Sequence, residues 1–463
     1  MPSPEGSAKT RGLFVVGGVV KSRLTDGDQQ VLVDHLSSLL QVHNLVILVG
    51  SGASMHLGSP STRNLPFAKI AGLIEQAGAA VSVTDEALLR VLNPRDDGDL
   101  ERLLNALQLA ADLASHTGSQ SISLGDDPAA ASFAIRDVAA LRAKIANALA
   151  RACDLPGPPD EVDPGYRDDP LLAHRTFFSR VVRSRRSNLP RPRVFTTNYD
   201  LVIERALDQL GYPYIDGFSG TVDRRLNMAN FGLDFHRVDR ASQDVLARAE
   251  GTLYLHKIHG SLNWRAVSGT DAATGVDLLD VHQVPGDGSL EGQRVLIYPT
   301  TAKEGDTLAY PYSDLMRLLG DAVERDDTAI ISVGYGFADA HINRILLRSL
   351  STNPALNVFI ADPYAVLDKL PLAAAIDDED LVGTPLRDSR HPARDTPVGK
   401  LARADDSRVA VLTGEAGKFT RLAEALPDPA IGRNVTAPAT ISALIEALGG
   451  APRAPEVAGG SDD

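Results

Sequence analysis

The sequence predicts an α/β fold, a parallel β-sheet covered by helices on both faces, and three observations carry that expectation. Short apolar runs recur along the chain, each ends in Gly, Thr, His, Pro or Asp, and amphipathic helical patterns fill the intervals between them. The runs are 45–49, 194–196, 253–258, 295–297, 329–333, 358–360 and 409–412. Strands buried on both faces read as near-continuous apolar runs rather than as alternation, because neither side of the pleat meets water.

Taken in order, Leu32, Leu36, Leu39 and Leu40 mark a helix before the first run, at spacings near three and four. Leu100, Leu103, Leu104, Leu107 and Leu109 mark another inside 85–152, a stretch that reads as mostly helical. Residues 155–170 carry five prolines and many charges and read as an exposed connector closing an inserted region. The Gly-, Asp- and Ser-rich stretch 267–293 reads as a loop or small hairpin excursion, 377–407 as another polar stretch, and the tail after Ala451 as disordered. The expected organisation is an N-terminal extension and helix over 1–44, then one Rossmann-like domain over 45–430 with a mainly helical insertion at about 85–190. A C-terminal segment over 431–463, partly disordered, completes it, and no internal repeat is visible.

Composition narrows the partners. With 463 residues, 43% apolar and 23% charged, the chain can bury one large core or two or three ordinary ones, and disorder of the whole is excluded. A formal net charge of -14 argues against direct nucleic acid partners and against acidic membrane surfaces. The single cysteine, Cys153, rules out an intramolecular disulfide framework and any zinc site needing two thiolates, and suits a reducing compartment. No run of about 18 apolar residues occurs and no apolar leader follows the opening charges, so no membrane span and a cytoplasmic location are expected.

Four strand ends carry the chemistry. At the first, an apolar run leads straight into Gly50-Ser51-Gly52-Ala53-Ser54, where small residues let backbone N–H groups approach a pyrophosphate and a following helix start adds favourable partial charge. The ordinary dehydrogenase fingerprint wants glycine where Met55 stands and an acid at a strand end about 20 residues on, whereas Glu75 lies in a helical pattern, which argues against a standard NAD-dependent dehydrogenase. A tight strand-to-helix turn without ligand has the same pattern. At the second, 194–207, Thr197, Asn198 and Asp200 follow a strand and are expected to face the same crevice; Asp200 equally suits a helix cap and Asn198 a turn. At the third, His259-Gly260 follows 253–258, and histidine at a strand end is the usual group for taking a proton near neutral pH, although His256 shows that histidine is not rare there. At the fourth, 330–346, a run opens into Gly334-Tyr335-Gly336 and a helix carrying Asp339, His341 and Asn343, its glycines permitting a second close approach.

In this order the four segments resemble the sirtuin superfamily. The pattern G-A-G-x-S-x-x-x-G-I-P-x-F-R is matched by Gly50, Gly52, Ser54, Gly58, Pro60 and Arg63, the T-Q-N-x-D element by Thr196-Thr197-Asn198-Tyr199-Asp200, and the H-G element by His259-Gly260. The segment GYGFADAHIN is similar to the version in sirtuin-like NAD-consuming proteins of bacterial antiphage defence. The resemblance runs from about 45 to 365 and implies that Asn198 and His259 form the catalytic pair. It implies that Gly50, Ser51, Gly52, Ala53 and Ser54 with Arg63 hold the phosphates and the nicotinamide-ribose side of NAD, that Asp200 supports the pocket, and that Thr197, Gly334, Tyr335 and Asp362 also border the cofactor.

Departures from the family pattern decide the branch. Deacylases of the family carry a four-cysteine zinc module that one cysteine cannot build, and Thr62 and Ser59 replace the usual Phe and Ile. The expectation is therefore no zinc ribbon, no metal, and NAD hydrolysis to ADP-ribose and nicotinamide, with the helical insertion in the zinc module's place. The same resemblance implies a homo-oligomer controlled by a HerA-like hexameric ATPase partner. Two rival readings remain open at this stage: an NAD or ADP-ribose sensor without turnover, and an NAD-dependent ADP-ribosyltransferase or deacylase.

Overall fold

The computed structural model describes residues 11–24, 29–59, 67–92, 100–123, 132–238, 246–270, 277–284, 293–296, 310–365, 378–387 and 394–428. Its centre is a nine-stranded sheet of β1 (Gly12–Val16), β2 (Val19–Leu24), β3 (Asn44–Val49), β4 (Arg193–Thr196), β5 (Tyr214–Ile215), β6 (Leu253–Lys257), β7 (Thr328–Val333), β8 (Leu356–Ala361) and β9 (Val409–Gly414). The spatial order is β2-β1-β9-β8-β7-β3-β4-β6-β5. Seven strands from β9 to β5 run parallel, and β1 and β2 close one edge antiparallel. This is a Rossmann-like α/β architecture.

Each parallel strand feeds two cores, because successive side chains point to opposite faces. Leu45, Ile47 and Val49 of β3 pack with Phe177, Phe178, Ile203 and Leu422, and Val46 and Leu48 pack with Leu315, Leu319, Ile342 and Leu346. The first face is covered by α1 (Gln30–Leu40), α6 (Leu172–Ser184), α7 (Val202–Leu210) and α11 (Phe419–Ala425), and the second by α8 (Tyr312–Val323), α9 (Ala340–Thr352) and α10 (Pro397–Ala402). The remaining helices α2 (Phe67–Gln76), α3 (Val83–Leu92), α4 (Leu100–Thr117) and α5 (Ile135–Ala152) build a separate core from Ile70, Leu88, Leu107, Leu141 and Ile145. Among the described residues no helix is long and apolar enough to cross a membrane.

Three segments differ from expectation. Within the N-terminal extension, 12–24 forms β1 and β2, a hairpin turned by Gly17 and Gly18, both with positive φ, a dipeptide that suits a two-residue turn. The run at 295–297, expected in the parallel sheet, lies instead in Gln293–Leu296, an antiparallel partner of Gly260–Thr270 in a separate five-stranded sheet; residue 297 falls outside the described residues. The proline-rich connector is mostly exposed, as expected, and differs in being anchored at two points: Leu155 and Val162 are buried, the Gly157 N–H donates to the Leu57 carbonyl (2.8 Å) and the Asp163 N–H to the His56 carbonyl (2.9 Å). The hairpin reading within 267–293 matches Gly260–Thr270 paired with Asp277–Gln283, and the tail after Ala451 lies outside the described residues.

Because α2 to α5 carry their own core, Leu141→Ala at a fully buried position should cost about 2–5 kcal/mol. Hydrogen exchange should then show protection lost within 70–149 and kept in the central sheet; equal loss in both would show that the two cores unfold as one.

Three buried imidazoles also tie stability to pH. Burial pushes His56 down to about 4, His256 down to about 3 and His174 well below its ordinary value. The unfolded chain takes up these protons near pH 6.5 and the fold does not, so stability that is full above pH 6.5 is lost as pH falls toward 4. His174, stacked on His56 and tilted against Phe419, has no hydrogen-bond partner at either ring nitrogen. His174→Phe should keep Tm at neutral pH and flatten the acid slope of a Tm–pH profile, and an unaltered slope would remove His174 from that account.

Candidate active site

Loops leaving the carboxyl ends of β7, β3, β4 and β6, four neighbouring strands, build the site. Their ends are level: Val333 pairs with Val49, Val49 with Thr196 and Thr196 with Lys257. Asn198 and His259 therefore each lie two residues beyond one row of the sheet, at the same edge. Strand order reverses about β3, with β4 on one side and β7 on the other, and such a switch point is where open α/β sheets form a ligand crevice.

The glycines have a role that their residue type alone leaves hidden. Gly50 donates its N–H to the Val333 carbonyl (3.0 Å), Gly52 its N–H to the Gly334 carbonyl (2.9 Å), and Ala53 its N–H to the Gly50 carbonyl (3.0 Å). A Cβ on Gly50 would stand 2.5 Å from the Gly334 oxygen, and one on Gly52 2.7 Å from the Gly334 Cα. On Gly334, whose φ is +64°, a Cβ would stand 2.2 Å from the Ala53 nitrogen. On the side where a side chain would stand, these glycines meet the backbone of the facing turn, and the amides of Gly50, Gly52 and Ala53 have backbone acceptors. Ser51 is exposed at the start of the 3-10 turn Ser51–Leu57.

Beside this interlock Asn198, Ser54 and Asp200 form a buried chain. The Asn198 backbone N–H donates to the Thr196 hydroxyl (3.0 Å), its Nδ2 donates to Ser54 Oγ (3.3 Å), and Ser54 Oγ donates to Asp200 Oδ2 (3.1 Å). Asp200 Oδ1 accepts the Val202 N–H (3.0 Å) at the start of α7. Ser54 has one proton, and an ionised carboxylate can only accept, so Ser54 must receive its second bond from the amide nitrogen of Asn198. That orients the amide and leaves Asn198 Oδ1 buried and without a hydrogen-bond partner. Asp200 thus serves the helix start through one oxygen and Ser54 through the other. Burial raises its carboxyl above the ordinary value, opposed by the Lys257 charge.

His259, 7% exposed, bonds through Nε2 to Asp339 Oδ2 (3.1 Å). With the carboxylate accepting, Nε2 carries the proton. Asp339 Oδ1 accepts the N–H groups of His341 (2.8 Å) and Ile342 (3.2 Å) and so caps α9. Because β6 and β7 are three strands apart, about 14 Å at ordinary spacing, the His259–Asp339 bond joins the loops on either side of the ends of β3 and β4.

The other expected residues are distributed around this centre. Thr197 donates its N–H to the Val49 carbonyl (3.1 Å), and Tyr335 is buried with its hydroxyl donating to Asn343 Oδ1 (3.0 Å), bracing the turn before α9. Asp362 directly follows β8, one strand beyond β7, where its Oδ1 accepts the Tyr364 N–H (2.8 Å). Arg63 lies outside the described residues. Asp339 and Lys257 had no role assigned from sequence. The signals were an acid directly before an amphipathic helix and a lysine inside an apolar strand run, where a buried charge requires a partner. Among the described residues no group of three or more His, Cys, Asp or Glu is placed to hold a metal ion.

Residues 192–377 match the family model of the SIR2-like domain. That stretch holds Asn198, His259 and Asp339, begins after the Gly50–Ser54 turn, and is less than half the chain. No curated protein matches the chain. Two solved structures with some likeness are complexes of a Sir2 homologue with ADP-ribose, one a serine-to-alanine mutant and one a phenylalanine-to-alanine mutant. Each covers 85% of this chain and 98% of its own at 13% identity, with TM-scores of 0.28 and 0.27.

If the glycines serve the contact between turns, their replacement must cost stability without any ligand present. Gly334→Ala should lose more than about 2 kcal/mol in denaturant unfolding. Gly72→Ala, in α2 with nothing within 4 Å of the added methyl, should gain about 0.5–1 kcal/mol.

Proposed function

We propose that the chain is an NAD glycohydrolase, cleaving the bond between nicotinamide and ribose and giving ADP-ribose. The observation that carries this reading is the orphaned Asn198 Oδ1: a buried acceptor with its amide locked behind it needs a donor such as a ribose hydroxyl or a water. His259, at the same sheet edge and paired with Asp339, is a group suited to remove a proton from that donor. The resemblance of the motif segments to sirtuins and the match of 192–377 to the SIR2-like domain support NAD as the substrate.

In this mechanism nicotinamide departs as a neutral group while positive charge develops on the ribose ring. Asn198 Oδ1 accepts a hydrogen bond from a ribose hydroxyl or from the attacking water and fixes its position. Water adds to the anomeric carbon, the carbon–nitrogen bond to nicotinamide breaks, and the proton lost from the water passes to His259, whose imidazolium Asp339 stabilises. Ser54, Asp200 and Thr197 hold the Asn198 side, and Gly334, Tyr335 and Asp362 border the other. Arg63 with the exposed start of the turn at Ser51 is the proposed phosphate side. The resemblance to antiphage proteins extends the proposal to depletion of cellular NAD in the cytoplasm by an oligomer, released by a HerA-like ATPase partner.

Purified protein incubated with NAD should release nicotinamide, alone or with such a partner. Asn198→Ala and His259→Ala should each lower that rate about 100-fold or more. Asp339→Asn keeps an oxygen for the α9 amides, so Tm should hold while the rate falls by a similar factor. Undiminished turnover in Asn198→Ala and His259→Ala would remove the assignment, and NAD binding without nicotinamide release would leave a sensor.

A further inference from the structure

Beneath the turn that carries Asn198 lies a group of buried charges that the proposed chemistry does not use. Lys257, the last residue of β6 and 3% exposed, reaches under β4 and donates from Nζ to three oxygens: the carbonyls of Tyr199 and Asp200 and the carboxylate of Glu204 (2.8 Å). Glu204 on α7 has its other carboxylate oxygen buried without a partner. One ammonium thus faces two buried carboxylates, Asp200 and Glu204, and burial raises both above their ordinary values while the Lys257 charge opposes the rise.

We propose that Lys257 is a positioning residue for this site: a buried ammonium that fixes the turn carrying Asn198 and, through Asp200 and Ser54, decides which way the Asn198 amide faces. The proposal rests on the glycohydrolase reading for its link to rate, and on geometry for the rest. An ammonium is a compact donor of three bonds, and here two go to the consecutive carbonyls of Tyr199 and Asp200, so the backbone directly following Asn198 is tied to β6. The third pairs Glu204, which otherwise repels Asp200. Without Lys257, two carboxylates share a dry site and one takes up a proton, as like charges in contact require. A protonated Asp200 can donate to Ser54; the Ser54 hydroxyl then no longer owes its proton to Asp200, and the Asn198 amide is free to turn its oxygen away from the crevice.

The groups facing Asp200 and Lys257 leave no other strong cause for such a change. Ser54 is neutral, Arg205 contributes weakly to Asp200, and the Tyr214 phenol is raised by burial first and then by the Glu204 charge. The Cys153 thiol, pushed up to about 12 by desolvation and then by the Asp200 charge, stays protonated.

The test follows the Asn198 side-chain amide by NMR in protein labelled with 15N-asparagine, its signal identified by its loss in Asn198→Ala, together with the pH profile of nicotinamide release. Lys257→Met should raise the pH at which the Asn198 signal moves by about 1 unit or more, and carry the acid limb of kcat upward with it. Lys257→Arg, which keeps the charge, should return both toward wild type. Glu204→Gln, close in shape and leaving Lys257 to Asp200 alone, should move the midpoint down, so the sign is tested even if the methionine variant fails to fold. Unmoved midpoints, or shifts of the same sign in Lys257→Met and Glu204→Gln, would overturn the proposal. Absence of nicotinamide release from the wild type would overturn the glycohydrolase reading instead, while the NMR midpoints still decide the role of Lys257.

Discussion

Two aspartates each divide one carboxylate between a helix start and a site side chain, and the candidate active site depends on that division. Asp200 gives Oδ1 to the first turn of α7 and Oδ2 to Ser54, which in turn holds the Asn198 amide. Asp339 gives Oδ1 to the first turn of α9 and Oδ2 to His259. A carboxylate bonded to helix N-terminal amides sits in favourable partial positive charge and loses its freedom to rotate. Its second oxygen then has a set direction, which converts the position of a helix into the orientation of an amide or an imidazole. Precision at the crevice is thereby inherited from secondary structure.

Ser54, which receives Asn198 and donates to Asp200, must itself be held in relation to the Asp339 side, and the glycine interlock does this. Ser54 follows β3 and Asp339 follows β7, and the two turns touch through the backbones of Gly50, Gly52, Ala53 and Gly334. Contact between main chains leaves no rotamer to adjust, so the spacing between the Ser54 and Asp339 sides is set by backbone hydrogen bonds. A positive φ at Gly334 is what turns the chain back toward β3.

The parallel strands were legible because burial on both faces leaves continuous apolar runs, as at 45–49 and 329–333. The edge hairpin of β1 and β2 was not read from 12–24, although Gly17-Gly18 between valines is a turn signal, because short edge strands alternate weakly. Asn198, Asp200 and His259 were found from motif spacing, and the structure sets them at one edge of the sheet. The meaning of Gly50, Gly52 and Gly334 could not be read: a missing side chain looks the same in sequence whether ligand or backbone fills its place. The partners of Asp339 and Lys257 were hidden for a related reason, since the former reaches 80 residues back to His259 and the latter 53 residues back to Glu204.

The charge of the assembled centre separates two kinds of nucleotide chemistry. Asp200, Glu204 and Asp339 bring carboxylates, Asn198 brings an acceptor oxygen, and Lys257 is turned beneath β4 toward Glu204 and main-chain carbonyls. Transfer of a phosphoryl group calls for cations at the reacting atoms, because negative charge must be held there. Cleavage of an N-glycosidic bond to a cationic base moves positive charge onto the ribose, and a dry pocket of acceptors and carboxylates lowers the energy of that state. In the proposed function the phosphates of the dinucleotide then lie away from this centre, toward the exposed start of the turn at Ser51, so that anion binding and cation stabilisation are kept apart.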